Sequence, residues 1–196
     1  SPADSNGGHG THVAITIAGD GSGDSNAEGI APGSYIVAYA LEHDPTGIFG
    51  RIGSIYDMLN HAEQEGSRVA VNAWGLNGNY GAYTADSRSV DVFVNDNPEF
   101  LPIFSAGDDP SQNASKVMAP STAKNVLSVG ASTTSPSGNV ANFSSLGPSL
   151  DGRVKPDVVA PGVAICSGRA EEAAIPVGTS CGSGSHANGN DMYLSL

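Results

Sequence analysis

Two stretches of the chain, residues 51–66 and 85–97, carry apolar side chains at helical spacing. The apolar positions are Ile52, Ile55, Leu59 and Ala62 in the first stretch, and Val90, Phe93 and Val94 in the second. The intervening positions are mostly polar, as expected when one face of a helix packs on a core. The pattern therefore predicts two amphipathic helices, the first of which ends at Gly66.

Four short runs rich in apolar and β-branched residues predict strands. They cover residues 34–41, 68–74, 100–106 and 126–131. Because strands and helices alternate, we expect crossover connections and an α/β fold with a mostly parallel sheet. Ligands bind such sheets beyond the carboxyl ends of the strands, which points to the loops at 73–81 and 106–112.

The last third of the sequence has a different character. Residues 132–162 are rich in Ser, Gly, Asn and Pro, which predicts loops with edge strands. Residues 181–191 are small and polar and have no apolar stripe. We therefore expect residues 181–196 to form an irregular C-terminal tail.

Composition narrows the class of protein. The chain has 196 residues, 39% of them hydrophobic, and a net charge of −12. This apolar fraction is too high for an acidic disordered chain, and no apolar run reaches the roughly 18 residues of a membrane span. The acidic balance also disfavours nucleic acid and anionic membranes as partners, because few Lys or Arg side chains are available to contact phosphates.

Two segments contain side chains suited to catalysis. At residues 8–14, glycines and two histidines stand where a helix could begin, so His9 is a candidate general base. At residues 178–180, a small-residue turn would expose the hydroxyl of Ser180 as a nucleophile. Each segment alone is equally consistent with an ordinary turn, so neither decides the function separately.

Together with five further segments, in the same order, these two resemble the subtilisin-like serine proteases, or subtilases. The matching strings are HGTHVA at 9–14, GIAPG at 29–33, VNAWG at 71–75, SAGDDP at 105–110, NVLSVGA at 125–131, NFSSLGP with DGRVKPDVVAPG across 142–162, and GTS at 178–180. The sequence of residues 80–88 is most similar to that of the alkaline branch of the family. The resemblance implies a three-layer αβα domain over residues 1–180, truncated at both ends.

The resemblance also implies roles for individual residues. His9 would be the general base and Ser180 the nucleophile of peptide-bond hydrolysis through an acyl-enzyme. The segment Ala73, Trp74 and Gly75 would pair with an extended polypeptide substrate. Asp108 stands where the family has the asparagine of the oxyanion hole.

Three departures from the family pattern bear on activity. The family's triad carboxylate lies well upstream of the histidine, so we expect it to be absent from this chain, in which eight residues precede His9. An ionised Asp108 can only accept hydrogen bonds, whereas the family's asparagine donates one to the developing oxyanion. Glycines after Ser180 disfavour the helix that normally follows the nucleophile.

These departures leave three hypotheses open. The chain could be a serine endopeptidase, a catalytically inert subtilase-like scaffold that binds extended peptides, or one fragment of a protease completed by the missing subtilase segments. Its composition is compatible with a secreted, extracellular protein.

The sequence leaves the cofactors and the cysteines open. No cofactor is required for the implied reaction, but Asp20, Asp24 and Glu28 lie in a Gly/Ser loop that could bind structural calcium. Their spacing equally fits a solvated loop. Cys166 and Cys181 could pair, but the sequence favours free thiols.

Overall fold

We describe the protein from a computed structural model. The description covers residues 9–22, 25, 28–43, 48–49, 53–109, 115–169, 182–183 and 191–195. The chain divides into two compact units. The central unit comprises residues 51–162, and the discontinuous unit comprises residues 1–50 and 163–196.

The elements follow in chain order. The helices are α1 (His9–Ala18), α2 (Ile55–Gln64) and α3 (Ala85–Asp96). The strands are β1 (Glu42–His43), β2 (Ile48–Phe49), β3 (Val69–Asn72), β4 (Leu101–Ser105), β5 (Leu127–Ser132), β6 (Val158–Pro161), β7 (Ile165–Arg169), β8 (Gly182–Ser183) and β9 (Asp191–Ser195). The two helices and three of the four strands predicted from the sequence are present.

The helices of the central unit begin at side-chain caps. Ser54 accepts the backbone N–H of Asp57, and the Asp57 carboxylate accepts the N–H of Ser54, which is a capping box at the start of α2. The hydroxyl of Ser54, which donates to the same carboxylate, and the N–H of Ser54 lower the pKa of Asp57. Thr84 caps α3 by accepting the N–H of Ser87. Just beyond α2, Gly66 has a φ of +90°, as predicted for a glycine that stops a helix.

The central unit contains a four-stranded parallel sheet in the order β3-β4-β5-β6. Asn72 of β3 lies opposite Phe104 of β4, so these two strands reach their carboxyl ends side by side. Strand β6 lies at the edge of the sheet, within the region predicted to hold loops and edge strands. The sheet confirms the predicted α/β class.

The core of the central unit lies between α2, α3 and one face of this sheet. Its largest buried side chains are Ile55, Leu59, Val90, Phe93 and Phe104. Phe93 packs edge-to-face against Phe100, with 5.0 Å between the ring centroids. Both predicted helices thus bury the apolar faces that identified them, as far as these faces are described.

The discontinuous unit is built around α1 and a three-stranded sheet in the order β7-β9-β8. Strand β9 runs parallel to β7, and β8 runs antiparallel to β9. Strands β8 and β9 lie within residues 181–196, so the prediction of an irregular tail is wrong for these residues. Strand β9 pairs with β7, and β8 pairs with β9, although residues 181–191 have no apolar stripe. The predicted domain boundary at residue 180 stays a prediction.

The predicted buried strand at 34–41 is also wrong. These residues belong to no strand of the described structure, and Tyr35, Ile36 and Val37 are exposed. An apolar run becomes a buried strand only where a neighbouring strand supplies its hydrogen bonds and a packed layer covers it. The apolar pattern of residues 34–41 by itself specifies neither a partner strand nor a covering layer.

Candidate functional site

His9 is the first residue of α1 and is partly buried. The sequence predicted a helix at this point because the glycines on either side of His9 leave the backbone free to turn into it. The prediction of a histidine at a helix entry is therefore confirmed. Its assignment as general base stays a prediction.

His12, the second histidine of the HGTH string, contacts strand β7. It is buried, and its Nε2 lies 3.1 Å from the carbonyl oxygen of Ile165 in β7. The hydroxyl of Ser167 donates to the carbonyl of His12 over 3.0 Å. These two contacts fasten the helix that begins at His9 to strand β7, one turn beyond the candidate base.

Cys166 lies between these two contacts on β7 and is disulfide-bonded. The chain contains only one other cysteine, Cys181, which lies outside the described residues. The expectation of free thiols is therefore wrong for Cys166. Sequence spacing favoured the free form because it could not show which side chains the fold brings together. Ser180, the candidate nucleophile, also lies outside the described residues.

The predicted peptide-binding segment, Ala73 to Gly75, directly follows β3. Trp74 packs edge-to-face on Phe104, with 5.6 Å between ring centroids, and this contact anchors the segment to the core. Just beyond it, the N–H of Leu76 donates to the carbonyl of Ala119 over 2.9 Å. The segment is thus held by the contact of Trp74 with Phe104 and by the hydrogen bond of Leu76, which directly follows it.

Asp108 lies in the loop that follows β4, and its side chain is exposed. The preceding residue, Gly107, has a φ of +110°, a conformation that favours glycine. The next residue, Asp109, forms an ion pair with Lys116, with 3.2 Å between Oδ2 and Nζ. The carboxylate of Asp108 is therefore presented to solvent from a loop whose neighbouring residues are fixed.

The structure brings these two predicted segments together. Because β3 and β4 are parallel neighbours in register, residues 73–75 and Asp108 both follow the carboxyl ends of their strands, at the same end of the sheet. The side chain of Met118 lies between the two loops. A Cβ built on Gly75 would come within 2.9 Å of the Met118 Cβ, and one built on Gly107 within 2.6 Å of its Sδ.

Sequence reasoning missed two residues of this region, Met118 and Ser145. Ser145 contacts the loop of Asp108 through both its backbone and its side chain. Ser145 belongs to the NFSSLGP string, which contributed to the family resemblance, but no role was assigned to this residue. Met118 has no comparable signal, because its position between two loops depends on the tertiary structure.

The calcium prediction stays untested by the described residues. Asp24 lies outside them, and Asp20 accepts hydrogen bonds from the N–H and hydroxyl of Ser22, which lower the pKa of Asp20. Within the part of the chain that the structure describes, no three His, Cys, Asp or Glu residues cluster in a way that could hold a metal ion. The described helices also include none with the length and apolar character needed to cross a membrane.

A sequence profile of the subtilase family matches residues 1–194, nearly the entire chain. The chain belongs to the subtilase family. The strings that carried the resemblance thus identify the family correctly, and the parallel sheet with its helices is the fold of that family.

Individual relatives agree with this membership. The chain is 26% identical to the serine protease/ABC transporter B family protein tagD of Dictyostelium discoideum, with 94% of this chain and 14% of that protein aligned. It is 28% identical to the serine protease AprX of Bacillus subtilis, over 89% of this chain and 42% of AprX. The chain thus spans less than half the length of these relatives.

Among solved structures, the protease domain of PatA shares the fold. The TM-score is 0.63 at 24% sequence identity, covering 85% of this chain and 57% of that domain. At this identity the likeness concerns the fold alone.

Proposed function

We propose that this chain is part of a serine endopeptidase that cleaves polypeptides through an acyl-enzyme on Ser180. His9 accepts the proton of the Ser180 hydroxyl as this attacks the peptide carbonyl, and later donates it to the leaving amine. Water then hydrolyses the ester. Membership of the subtilase family supports this reaction, as does the position of His9 at the start of α1.

The geometry of the central unit carries the proposal. An extended peptide that adds as a strand along Ala73, Trp74 and Gly75 would hydrogen-bond to their backbone. The loop of Asp108 leaves the sheet beside this segment, since β3 and β4 end together. The loop that carries Asp108 would thus lie beside the bound peptide, as the oxyanion position of the family requires.

Asp108 itself favours a second candidate function. Its carboxylate accepts hydrogen bonds in the ionised form and would repel an oxyanion, whereas only the protonated form could donate. A chain that keeps the peptide-pairing segment but has this carboxylate in the oxyanion position would bind extended peptides without cleaving them efficiently. The second candidate is therefore a subtilase-like peptide-binding scaffold.

We also propose that the protein works outside the cell. The disulfide at Cys166 supports this location, because disulfides persist in oxidising compartments. The proposed reaction requires no cofactor. Calcium in the loop from Asp20 to Glu28 would have a structural role only, and it remains part of the proposal.

A fluorophosphonate probe tests the reaction, because it labels an activated serine covalently. We expect the label on Ser180, its loss in Ser180→Ala, and a strong reduction in His9→Ala. Ser183→Ala is the matched control and keeps the label. Labelling that appears only after a subtilase segment with the triad carboxylate is added would instead identify a split protease.

Absence of label under all these conditions would overturn the proposed catalysis. Fluorescence anisotropy with an extended peptide then tests the scaffold. Retained binding that is weakened by Trp74→Ala would favour the second candidate function. Neither label nor binding would contradict both.

A further inference from the structure

Ser145 binds the main chain on both sides of Asp108. Its backbone N–H donates to the carbonyl oxygen of Gly107 over 2.9 Å, and its Oγ accepts the N–H of Asp109 over 3.2 Å. The side chain is fully buried, at 0% exposure. One residue that is distant in sequence therefore fixes the peptide groups that flank the exposed residue at position 108.

The packing around Gly107 leaves the loop little room to shift. A Cβ at Gly107 would lie 2.8 Å from the Oγ of Ser145 on one side and 2.6 Å from the Cγ of Met118 on the other. The N–H of Met118 donates to the carbonyl of Ala106 over 2.8 Å. The segment before Asp108 is thus held between two buried side chains.

The residues after Asp108 are held in the same region. The ammonium of Lys116 pairs with Asp109, and the backbone N–H of Lys116 donates to the carbonyl of Leu146, which follows Ser145. Ser145 thus contacts the loop directly. Its neighbour Leu146 contacts Lys116, whose side chain pairs with Asp109 in the same loop. This arrangement fixes the direction in which residue 108 projects.

We propose that Ser145 is a positioning residue for position 108 in the reaction proposed above. Groups that stabilise an oxyanion act only if they are held in place before the charge develops, so a displacement of about an ångström removes much of their effect. Ser145 supplies this fixation from a buried position and does not itself reach the substrate. The inference rests on the proposed function, but the contacts it uses can be tested without catalysis.

The neighbouring residue, Ser144, provides a matched control. It is equally buried, at 1% exposure, and its Oγ accepts the N–H of Ala131 in strand β5 over 2.9 Å. Ser144→Ala therefore removes a similar hydrogen bond, from an adjacent buried hydroxyl, at a strand instead of at the Asp108 loop. A general loss of stability affects both variants, whereas a loss of positioning affects only Ser145→Ala.

Amide hydrogen exchange measures the contact without requiring activity. In Ser145→Ala we expect the N–H of Asp109 to exchange about tenfold faster, because it loses its acceptor. In Ser144→Ala the faster exchange should instead appear at Ala131. Unchanged exchange at Asp109 in Ser145→Ala would overturn the inference.

If Ser145→Ala does not fold, the pair Ser145→Thr and Ser145→Val replaces it, because these two side chains have nearly the same shape and only threonine retains the hydroxyl. We expect threonine to protect the N–H of Asp109 and valine to leave it exposed to exchange. Equal exchange in the two variants would contradict the role of the hydroxyl.

Kinetics separate positioning from a purely structural role. In an Asp108→Asn background, Ser145→Ala should lower kcat about tenfold and leave KM nearly unchanged. In an Asp108→Ala background, where residue 108 has no group to position, the same substitution should leave kcat unchanged. Equal losses in both backgrounds would overturn the inference, whereas absence of turnover in every variant, with Asp109 exchange as expected, would overturn the proposed catalysis alone.

Discussion

The buried ammonium of Lys155 pairs with the partly exposed carboxylate of Asp157 just before β6, with 2.7 Å between Nζ and Oδ2. The ammonium of Lys155 also donates to the carbonyl of Val126 over 3.1 Å. The same carboxylate oxygen of Asp157 accepts the N–H of Ser128 over 2.8 Å. The pair thus joins the segment before β6 to the beginning of β5 and helps to fix the register of these parallel strands.

We expect Asp157→Asn to lower the free energy of unfolding by about 2 kcal/mol, because the buried ammonium of Lys155 loses its charged partner. Urea denaturation measures this loss. The more exposed pair of Glu63 and Arg68 is the control, and Glu63→Gln should shift the midpoint little. Equal losses in both variants would contradict a special role for the pair of Lys155 and Asp157.

Replacing Asp108 by asparagine restores the donor that the family uses in the oxyanion hole. Loss of one such donor generally lowers turnover by about 10²–10³, so we expect Asp108→Asn to raise kcat on a fluorogenic peptide about 10²-fold. Glu99→Gln, which removes an equal charge before the opposite end of β4, should leave kcat unchanged. A fall in turnover in Asp108→Asn would contradict the assigned position.

Stability should fall at high pH because of Tyr83. Burial, together with the hydrogen bond that its hydroxyl donates to the carboxylate of Asp91 over 2.7 Å, raises the pKa of Tyr83 from 10.0 to about 12. The unfolded chain therefore releases this proton first. The contribution of Tyr83 is fully present below pH 10 and is lost as the pH rises toward 12.

Phenolate absorbance and guanidinium denaturation, each measured from pH 9 upward, test this expectation. The absorbance titration should show a late step that is missing in Tyr83→Phe. The stability of Tyr83→Phe should also decline less between pH 10 and 12 than that of the unaltered chain. The idea fails if Tyr83 ionises together with ordinary tyrosines.

Reduction of the disulfide at Cys166 should destabilise the protein. The other cysteine of the sequence is Cys181, and a pairing of the two would close a loop of about 15 residues, for which chain entropy predicts a stabilisation of about 3 kcal/mol. We expect a lower thermal midpoint after reduction and a similar midpoint in Cys166→Ser. Reductant should have no further effect on that variant, and thiol counting should find no reactive thiol in the native chain.

The helices and strands of the central unit could be predicted because their apolar patterns coincide with their buried faces. Ile55 and Leu59 in α2, and Val90 and Phe93 in α3, are buried as their spacing predicted. The parallel arrangement also followed, since alternating strands and helices need crossover connections. This placed the segment predicted to pair with peptides and the loop of Asp108 at the same end of the sheet, where the strands have their carboxyl ends.

Other features depended on residues distant in sequence. The run at 34–41 has the composition of a buried strand, yet Tyr35 and Ile36 are exposed. Residues 181–191 have no apolar stripe, yet Gly182–Ser183 within them pairs with β9. The composition of a segment indicates which secondary structures are compatible with it. Whether it forms a paired strand depends on which other strand the fold places beside it.

The sequence by itself determined the family and the α/β class, because ordered motifs and local periodicity depend only on the residues themselves. It also predicted Asp108 at the oxyanion position, and this assignment stays a prediction. Only the tertiary structure showed that Ser145 holds both sides of Asp108, that Met118 lies between the two loops and that Cys166 is disulfide-bonded. These contacts join segments separated by many residues, and such contacts leave no periodic signal because packing and loop closure alone determine which side chains meet.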